Sequence, residues 1–297
     1  MKYSYSTMDQ ASGLRTALRP PSGSRAPVQV IAVSSGKGGV GKTNMVANLA
    51  IACARKGRKV LVMDADLALG NMDILLGLAP IFTIEDVLSG HRTLEEVLVA
   101  GPGNIRILPA TSGVQELTEL REEQRRHLQT GFLQLNDPPD LLLIDCAAGI
   151  ADNVLYFSVI AHEILLVVSP DPGSLTDAYA LVKVLSTRYH QRTFRFLVNM
   201  ARTPREAKEA FRKLSLVTDQ FLHVTIDYMG YVPFDDYLSM AVSQQRPVIE
   251  AYPRAPSSQA FANLVSSVTR WRTDKTLKGG FQLFGPAGLG LVTERIA

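Results

Sequence analysis

Residues 35–43 read Ser35-Gly36-Lys37-Gly38-Gly39-Val40-Gly41-Lys42-Thr43, directly after the apolar run Val28–Ser34. This is the glycine, four residues, glycine-lysine-threonine pattern, set between a predicted strand and a predicted helix. Glycines at Gly36, Gly38, Gly39 and Gly41 let the backbone curl until several N–H groups, Val40 included, converge on one anion. The helix opened by Lys42, Thr43 and Asn44 adds the positive end of its dipole. In that setting Lys42 reaches the β- and γ-phosphates of a nucleotide, and the Thr43 hydroxyl serves a magnesium ion. The chemistry implied is binding of ATP with Mg2+. Two acidic sites fit it. Lys59–Met63 delivers Asp64-Ala65-Asp66 at a strand end, where carboxylates can face a metal and an attacking water. Leu141-Leu142-Leu143-Ile144 is an apolar strand ending in Asp145, which suits an acid that holds a magnesium-bound water.

These residues need strands to carry them. Val28–Ser34, Lys59–Asp64, Ile105–Pro109, Leu141–Asp145, Ile164–Ser169, Phe194–Asn199 and Tyr228–Val232 are short apolar runs. Continuous apolar runs of this length are what strands buried on both faces require. Helical patterns lie between them, notably Glu116–Leu135, Leu175–Tyr189 and Arg205–Leu222, and Gly57 is placed to end the helix after the glycine loop. Such alternation predicts an α/β fold, a doubly wound and mostly parallel sheet, with ligands at the carboxyl ends of its strands. Residues 1–27 end in a Pro/Ser/Gly linker, 28–272 form the nucleotide-binding domain, and 273–297 are a C-terminal tail.

Composition narrows the classes. The 297 residues are 46% apolar with a net charge of +3, enough for a large core and no electrostatic reason to expect nucleic acid as the main partner. Cys53 and Cys146 sit in apolar runs, as buried reduced thiols do. No run approaches the roughly 18 apolar residues of a membrane span, and the polar N-terminus lacks a secretory core, so a cytoplasmic location is expected.

Lys37, just after the first glycine, resembles the deviant phosphate loop of the MinD/ParA class of ATPases. The resemblance implies an ATP-bound homodimer in which Lys37 reaches the phosphates of the partner subunit. It gives Asp66 the nucleophilic water and Asp64 the metal shell, and makes Cys146-Ala147-Ala148-Gly149-Ile150 a second switch. Relatives favour glycine where Ala147 stands, which restricts positive φ there. Asn199, Pro233 and Asp235 would contact the adenine.

Within the class, several segments resemble the FlhG/FleN flagellar-number family: Gly70-Asn71-Met72-Asp73-Ile74-Leu75-Leu76-Gly77-Leu78, Pro109-Ala110-Thr111-Ser112-Gly113, Ala151-Asp152-Asn153-Val154 and Leu175-Thr176-Asp177-Ala178-Tyr179-Ala180-Leu181. Asp9-Gln10-Ala11-Ser12-Gly13-Leu14-Arg15 resembles that family's N-terminal motif. There Asp9, Gln10, Leu14 and Arg15 would engage an FlhF-like GTPase. A flagellar transcription activator and rotor-ring proteins are further implied partners. Arg270, Arg272, Lys275 and Lys278 before Phe281, Leu283 and Phe284 suggest a peripheral contact with the inner face of the plasma membrane, although Gly279, Gly280, Gly285 and Pro286 interrupt any helix.

Two other classes compete. A ParA-type DNA-segregation ATPase would use a basic surface from Arg188, Arg192, Arg195, Arg202 and Arg205. An iron–sulfur carrier needs paired cysteines, and the spacing of Cys53 and Cys146 does not supply them.

Overall fold

A computed structural model describes residues 28–67, 69–110 and 120–271. The N-terminal motif at Asp9, Gln10, Leu14 and Arg15, the segment Thr111–Gly113 and the tail 273–297 lie outside the described residues. The sheet order is β3-β4-β2-β5-β1-β6-β7-β8. Its strands are β1 (Gln29–Ser35), β2 (Val60–Ala65), β3 (Val99–Ala100), β4 (Arg106–Leu108), β5 (Leu141–Ala148), β6 (Glu163–Val168), β7 (Thr193–Ala201) and β8 (Thr225–Pro233). All neighbours run parallel except β3 with β4. The two-residue β3 is too short to leave a period in the sequence and was not expected from it.

The central strand β1 shows why its sequence carries no polar alternation. Val30 and Ala32 enter one core, Ile31 and Val33 the other, and all four are buried. One face of the sheet is covered by α1 (Lys42–Ala54), α2 (Met72–Leu75), α9 (Asp236–Ser243), α10 (Val248–Ala251) and α11 (Pro256–Arg270). The other face carries α3 (Ile84–Leu88), α4 (Leu94–Val97), α5 (Glu122–Leu133), α6 (Asp152–Val159), α7 (Pro172–Arg188) and α8 (Pro204–Phe221). Helix α1 is buried along Met45–Cys53, so it is apolar nearly all round. Gly57 takes φ +84° beyond its end, the left-handed position that closes a helix most cheaply with glycine.

The predicted helix Glu116–Leu135 is corrected to Glu122–Leu133 among the described residues. The Leu120 N–H is given to Asn153 Oδ1 at 3.1 Å rather than to a helix, and Arg121 with Gln124 forms the cap. That bond gives the Asp152-Asn153 segment a packing role: it ties α6 to the chain entering α5. Both cysteines are buried, which pushes the Cys53 thiol up to about 11 and the Cys146 thiol up to about 12. No helix among the described residues is long and apolar enough to cross a membrane.

Candidate functional site

The loop 36–41 leaves the carboxyl end of β1 and is held by close backbone approach. A Cβ on Gly36 would stand 2.1 Å from the Asp177 carbonyl carbon and 2.4 Å from the Ala178 nitrogen. The Thr176-Asp177-Ala178 stretch of α7 is therefore a wall of the loop, which accounts for a segment that helix packing alone would leave unexplained. Gly39 and Gly41 take φ +79° and +80°, where side chains are disfavoured. A Cβ on Gly41 would meet Asn199 Nδ2 at 2.4 Å. Asn199 donates that amide to the Val40 carbonyl at 2.8 Å. Around Gly38 and Gly39 nothing lies within 4 Å of an added Cβ, so that rim faces open space.

Lys42 Nζ sits 3.6 Å from Asp145 Oδ1, with side-chain exposures of 10% and 2%. That oxygen is buried and accepts no hydrogen bond. Burial pushes the Asp145 carboxyl upward, while Lys42 and the Thr43 hydroxyl pull it back. Asp64 pairs in register with Asp145 on the neighbouring strand. Burial and the Asp145 charge push it up to about 7. Its Oδ1 accepts from the Asp66 N–H at 3.1 Å, and its Oδ2 from Asn71 and Met72 at 3.1 and 3.2 Å. Asp64 thereby anchors the turn that carries Asp66. Gly70 closes that turn: a Cβ there would hit Ala110 Cβ at 2.4 Å, which explains why the Gly70 and Ala110 segments are both small. Asp66 is half-buried, and its Oδ1 receives the Leu69 N–H at 3.3 Å.

Lys37 points away from this cluster, to Asp171 Oδ1 at 3.2 Å. Asp171 caps α7 by accepting from Ser174 N–H at 2.9 Å, and its Oδ2 accepts from Ser169 Oγ at 2.5 Å. The Ser169 hydroxyl and the Ser174 amide, ahead of Lys37, hold its carboxyl down to about 2. Sequence reasoning missed Asp171. Its signal was an acid directly before Pro172, the pattern of an N-cap with proline at the first helical position.

Other expectations are redrawn. Ala147 lies in β5 with extended backbone, and the positive φ of the second switch falls on Gly149, at +93°. An alanine at 147 is therefore without strain, and the Gly149 N–H returns to the Ser35 carbonyl at 2.9 Å. Pro233 ends β8 beside the exposed Phe234. Asp235 Oδ1 caps α9 through Tyr237 N–H at 3.0 Å, and Oδ2 accepts from Ser257 N–H and Oγ at 2.9 and 2.6 Å. A nucleotide contact from Asp235 would thus come from its backbone. The five arginines do not form one patch. Arg195 is drawn in between Glu163 and Asp227, and Arg192 and Arg202 flank opposite ends of β7.

The donor set fits a nucleoside polyphosphate and its cation. A glycine cradle opens at a helix N-terminus, a buried lysine faces it, and an unbonded carboxylate oxygen lies beneath with Thr43 at hand. No group of three or more His, Cys, Asp or Glu side chains among the described residues forms a ready-made metal site. A cation here would therefore rest on Thr43, phosphate oxygens and water.

Comparison with known proteins agrees. Residues 28–195 match a family described as an AAA domain (AAA_31). The chain is 47% identical to the antiactivator FleN of Pseudomonas aeruginosa, over 88% of this chain and 94% of that protein. It is 30% identical to the flagellum site-determining protein YlxH of Helicobacter pylori, over 77% of this chain and 78% of that one. Among solved structures, septum site-determining MinD of Pyrococcus horikoshii with Mg-ADP superimposes with a TM-score of 0.68 at 28% identity, covering 82% of this chain and 97% of that one. The chain belongs to the MinD/ParA class of P-loop ATPases. Within that class it stands close to the FleN/FlhG proteins and is a MinD-like ATPase of the flagellar-number group.

Proposed function

We propose that this protein is an ATP-driven dimerisation switch that controls flagellar number or placement by hydrolysing ATP to ADP and phosphate. The observation that carries the reading is the different placement of two lysines in one loop. Lys42, buried over Asp145, serves the nucleotide of its own chain. Lys37 stands on the rim, where a second copy can receive it. Magnesium, when bound, neutralises charge that builds on the phosphates during transfer. Thr43 would hold that cation directly, and Asp145 would hold it through a bound water. Asp64 would support its shell only through the turn it anchors. Asp66 orients the attacking water, and the amides of Gly36, Gly38, Gly39, Val40, Gly41 and Asn44 with Lys42 position the phosphates. Asn199 of β7, clamped to Val40, links the phosphate loop to the base side, where the neighbouring strand β8 ends in Pro233.

The partners follow from likeness to FleN and FlhG. The N-terminal motif around Gln10 would engage an FlhF-like GTPase, and the ATP-bound dimer a flagellar transcription activator or rotor-ring protein. The tail 273–297 would touch the inner membrane surface, from a cytoplasmic protein. The basic surface of a DNA-segregation role would lack Arg195, which is withdrawn into ion pairs with Glu163 and Asp227. Gel filtration of wild type and Asp66→Ala with ATP and with ADP tests the switch. The variant should stay dimeric in ATP and monomeric in ADP; a monomer under every condition would remove the reading. Counting flagella per cell after gene deletion tests the pathway, and an unchanged number and position would detach it from flagella.

A further inference from the structure

The carboxyl end of β7 departs from strand geometry. Successive side chains of a regular strand point to opposite faces. Asn199 and Met200 nevertheless converge on one point: a Cβ built on Gly41 would meet Asn199 Nδ2 at 2.4 Å and Met200 Cε at 3.3 Å. Ladder pairing shows how. Asn199 pairs with Val232 and Ala201 with Pro233, so Met200 is an extra residue between consecutive partners, a bulge that re-aims its side chain. It takes φ +61°, in the left-handed region. Among the described residues the other non-glycine side chains that do so are Asn104, His190 and Gln245, all polar. Asparagine and histidine enter this region more readily than most residues, and methionine has no local hydrogen bond to offset it. Core packing does not account for the strain either, because Met200 is 37% exposed.

We propose, resting on the ATPase reading, that Met200 is the wall of the nucleotide pocket on which the purine ring packs, a binding residue that fixes the base. The direction of the nucleotide follows from the sheet. Asp64 and Asp145 stand on β2 and β5, to one side of β1, and β6, β7 and β8 lie to the other. A polyphosphate whose terminal phosphate faces those acids leaves the loop toward β7. There it meets the Met200 methyl beside Gly41, at the N-terminus of α1. Phosphates and ribose are polar, so the ring is the part of a nucleotide that an apolar methyl suits. A thioether is polarisable and makes favourable contacts with aromatic rings. The bulge thus divides two tasks between neighbours. Asn199 gives its amide nitrogen to the Val40 carbonyl and braces the loop, while Met200 turns outward to the base. Strained backbone of this kind gathers at ligand clamps.

NMR of the full-length protein with carbon-13 methionine methyls tests the contact. The Met200 methyl signal, assigned by its loss in Met200→Leu, should move upfield when ADP binds, as a methyl over an aromatic face does. It should not make that move when inorganic tripolyphosphate fills the same loop. Affinity gives a second readout. Met200→Gly removes the side chain and accepts φ +61° without strain, so it should keep the fold. Its Kd for ADP should rise about ten-fold, the order expected from one apolar side chain, and its Kd for tripolyphosphate should not change. Met200→Leu, which keeps an apolar group of similar volume, should bind ADP within about three-fold of wild type. A methyl signal that ADP leaves in place, or an unchanged ADP affinity in Met200→Gly, overturns the proposal and leaves the phosphate loop standing. Equal losses for ADP and tripolyphosphate also overturn it, since Met200 would then only support the loop. Wild type that binds neither probe would instead remove the ATPase reading, and the proposal with it.

Discussion

Lys42 and Lys37 belong to one loop, and each lies near a carboxylate of its own chain. The Lys37–Asp171 distance is the shorter, 3.2 Å against 3.6 Å for Lys42–Asp145. Distance alone would rank Lys37 as the better held. Solvent reverses the order. Lys37 and Asp171 are exposed by 47% and 45%, and such pairs contribute about 0–1 kcal/mol. Breaking a buried pair such as Lys42–Asp145 by removing one partner costs about 3–5 kcal/mol. One lysine is therefore held in place, and the other can leave its carboxylate at small cost, as the proposed switch requires. Burial separates a structural cation from a transferable one.

The sharpest way to break this comparison is Lys37→Ala. A cation supplied across an interface contributes on the order of 10³ or more in rate, so turnover should drop at least about that far while ATP still protects the protein from heat. Turnover within a few-fold of wild type would return Lys37 to the role of a surface charge. Lys42→Ala should act on the other quantity. Loss of its phosphate contacts should weaken ATP affinity by about 100-fold, roughly 2.7 kcal/mol, and remove ATP-dependent thermal stabilisation. Retained stabilisation would contradict the assignment of the loop. Opposite signatures in binding and turnover are what would separate the two lysines.

The acids beneath the loop give a pH test. Asp64 is raised from 3.8 to about 7, with burial and then the Asp145 charge as the causes. A raised folded-state value means the folded chain binds a proton that the unfolded chain releases near pH 4. Its contribution to stability is thus full below about 4 and is lost as pH climbs through about 7. Asp64→Asn cannot take part in this titration. The melting temperature of nucleotide-free Asp64→Asn minus that of wild type should rise between pH 5 and 7, by about 2–4 °C per kcal/mol, and level off above. A flat difference would mean that the three backbone N–H donors, not desolvation, govern the carboxyl.

The sequence showed the phosphate loop and its two acidic strands plainly, because glycines at fixed spacing and apolar runs are local signals. Most strand ends moved, by up to three residues, as ladder pairing decides them rather than composition. Other features needed tertiary contacts. Gly36 against Asp177, Asn199 against Val40 and Asn153 against Leu120 join residues far apart in the chain. The family-like segments were recognisable as text, and only packing gives them a reason. Ala147 shows the reverse error: a residue read as restricting positive φ falls on extended backbone, while the bend belongs to Gly149 two residues on. Arg195 likewise read as surface charge and is an internal brace across β6, β7 and β8.

The smallest expected effect is the most direct test of mobility. Asp171 both caps α7 and holds Lys37, so alanine would confound the two by costing about 1 kcal/mol of helix stability. Asp171→Asn keeps an oxygen for the Ser174 N–H and removes the charge. If the pair restrains Lys37 in the monomer, freeing it should lower the ATP concentration for half-maximal dimerisation, by no more than about five-fold given the 0–1 kcal/mol of an exposed pair. Melting temperature should stay within about 2 °C. A higher ATP requirement would mean that Asp171 guides Lys37 within the closed dimer, and the pair would then be part of the assembled site rather than a restraint upon it. Sedimentation velocity across an ATP series separates these outcomes, because they shift the same midpoint in opposite directions.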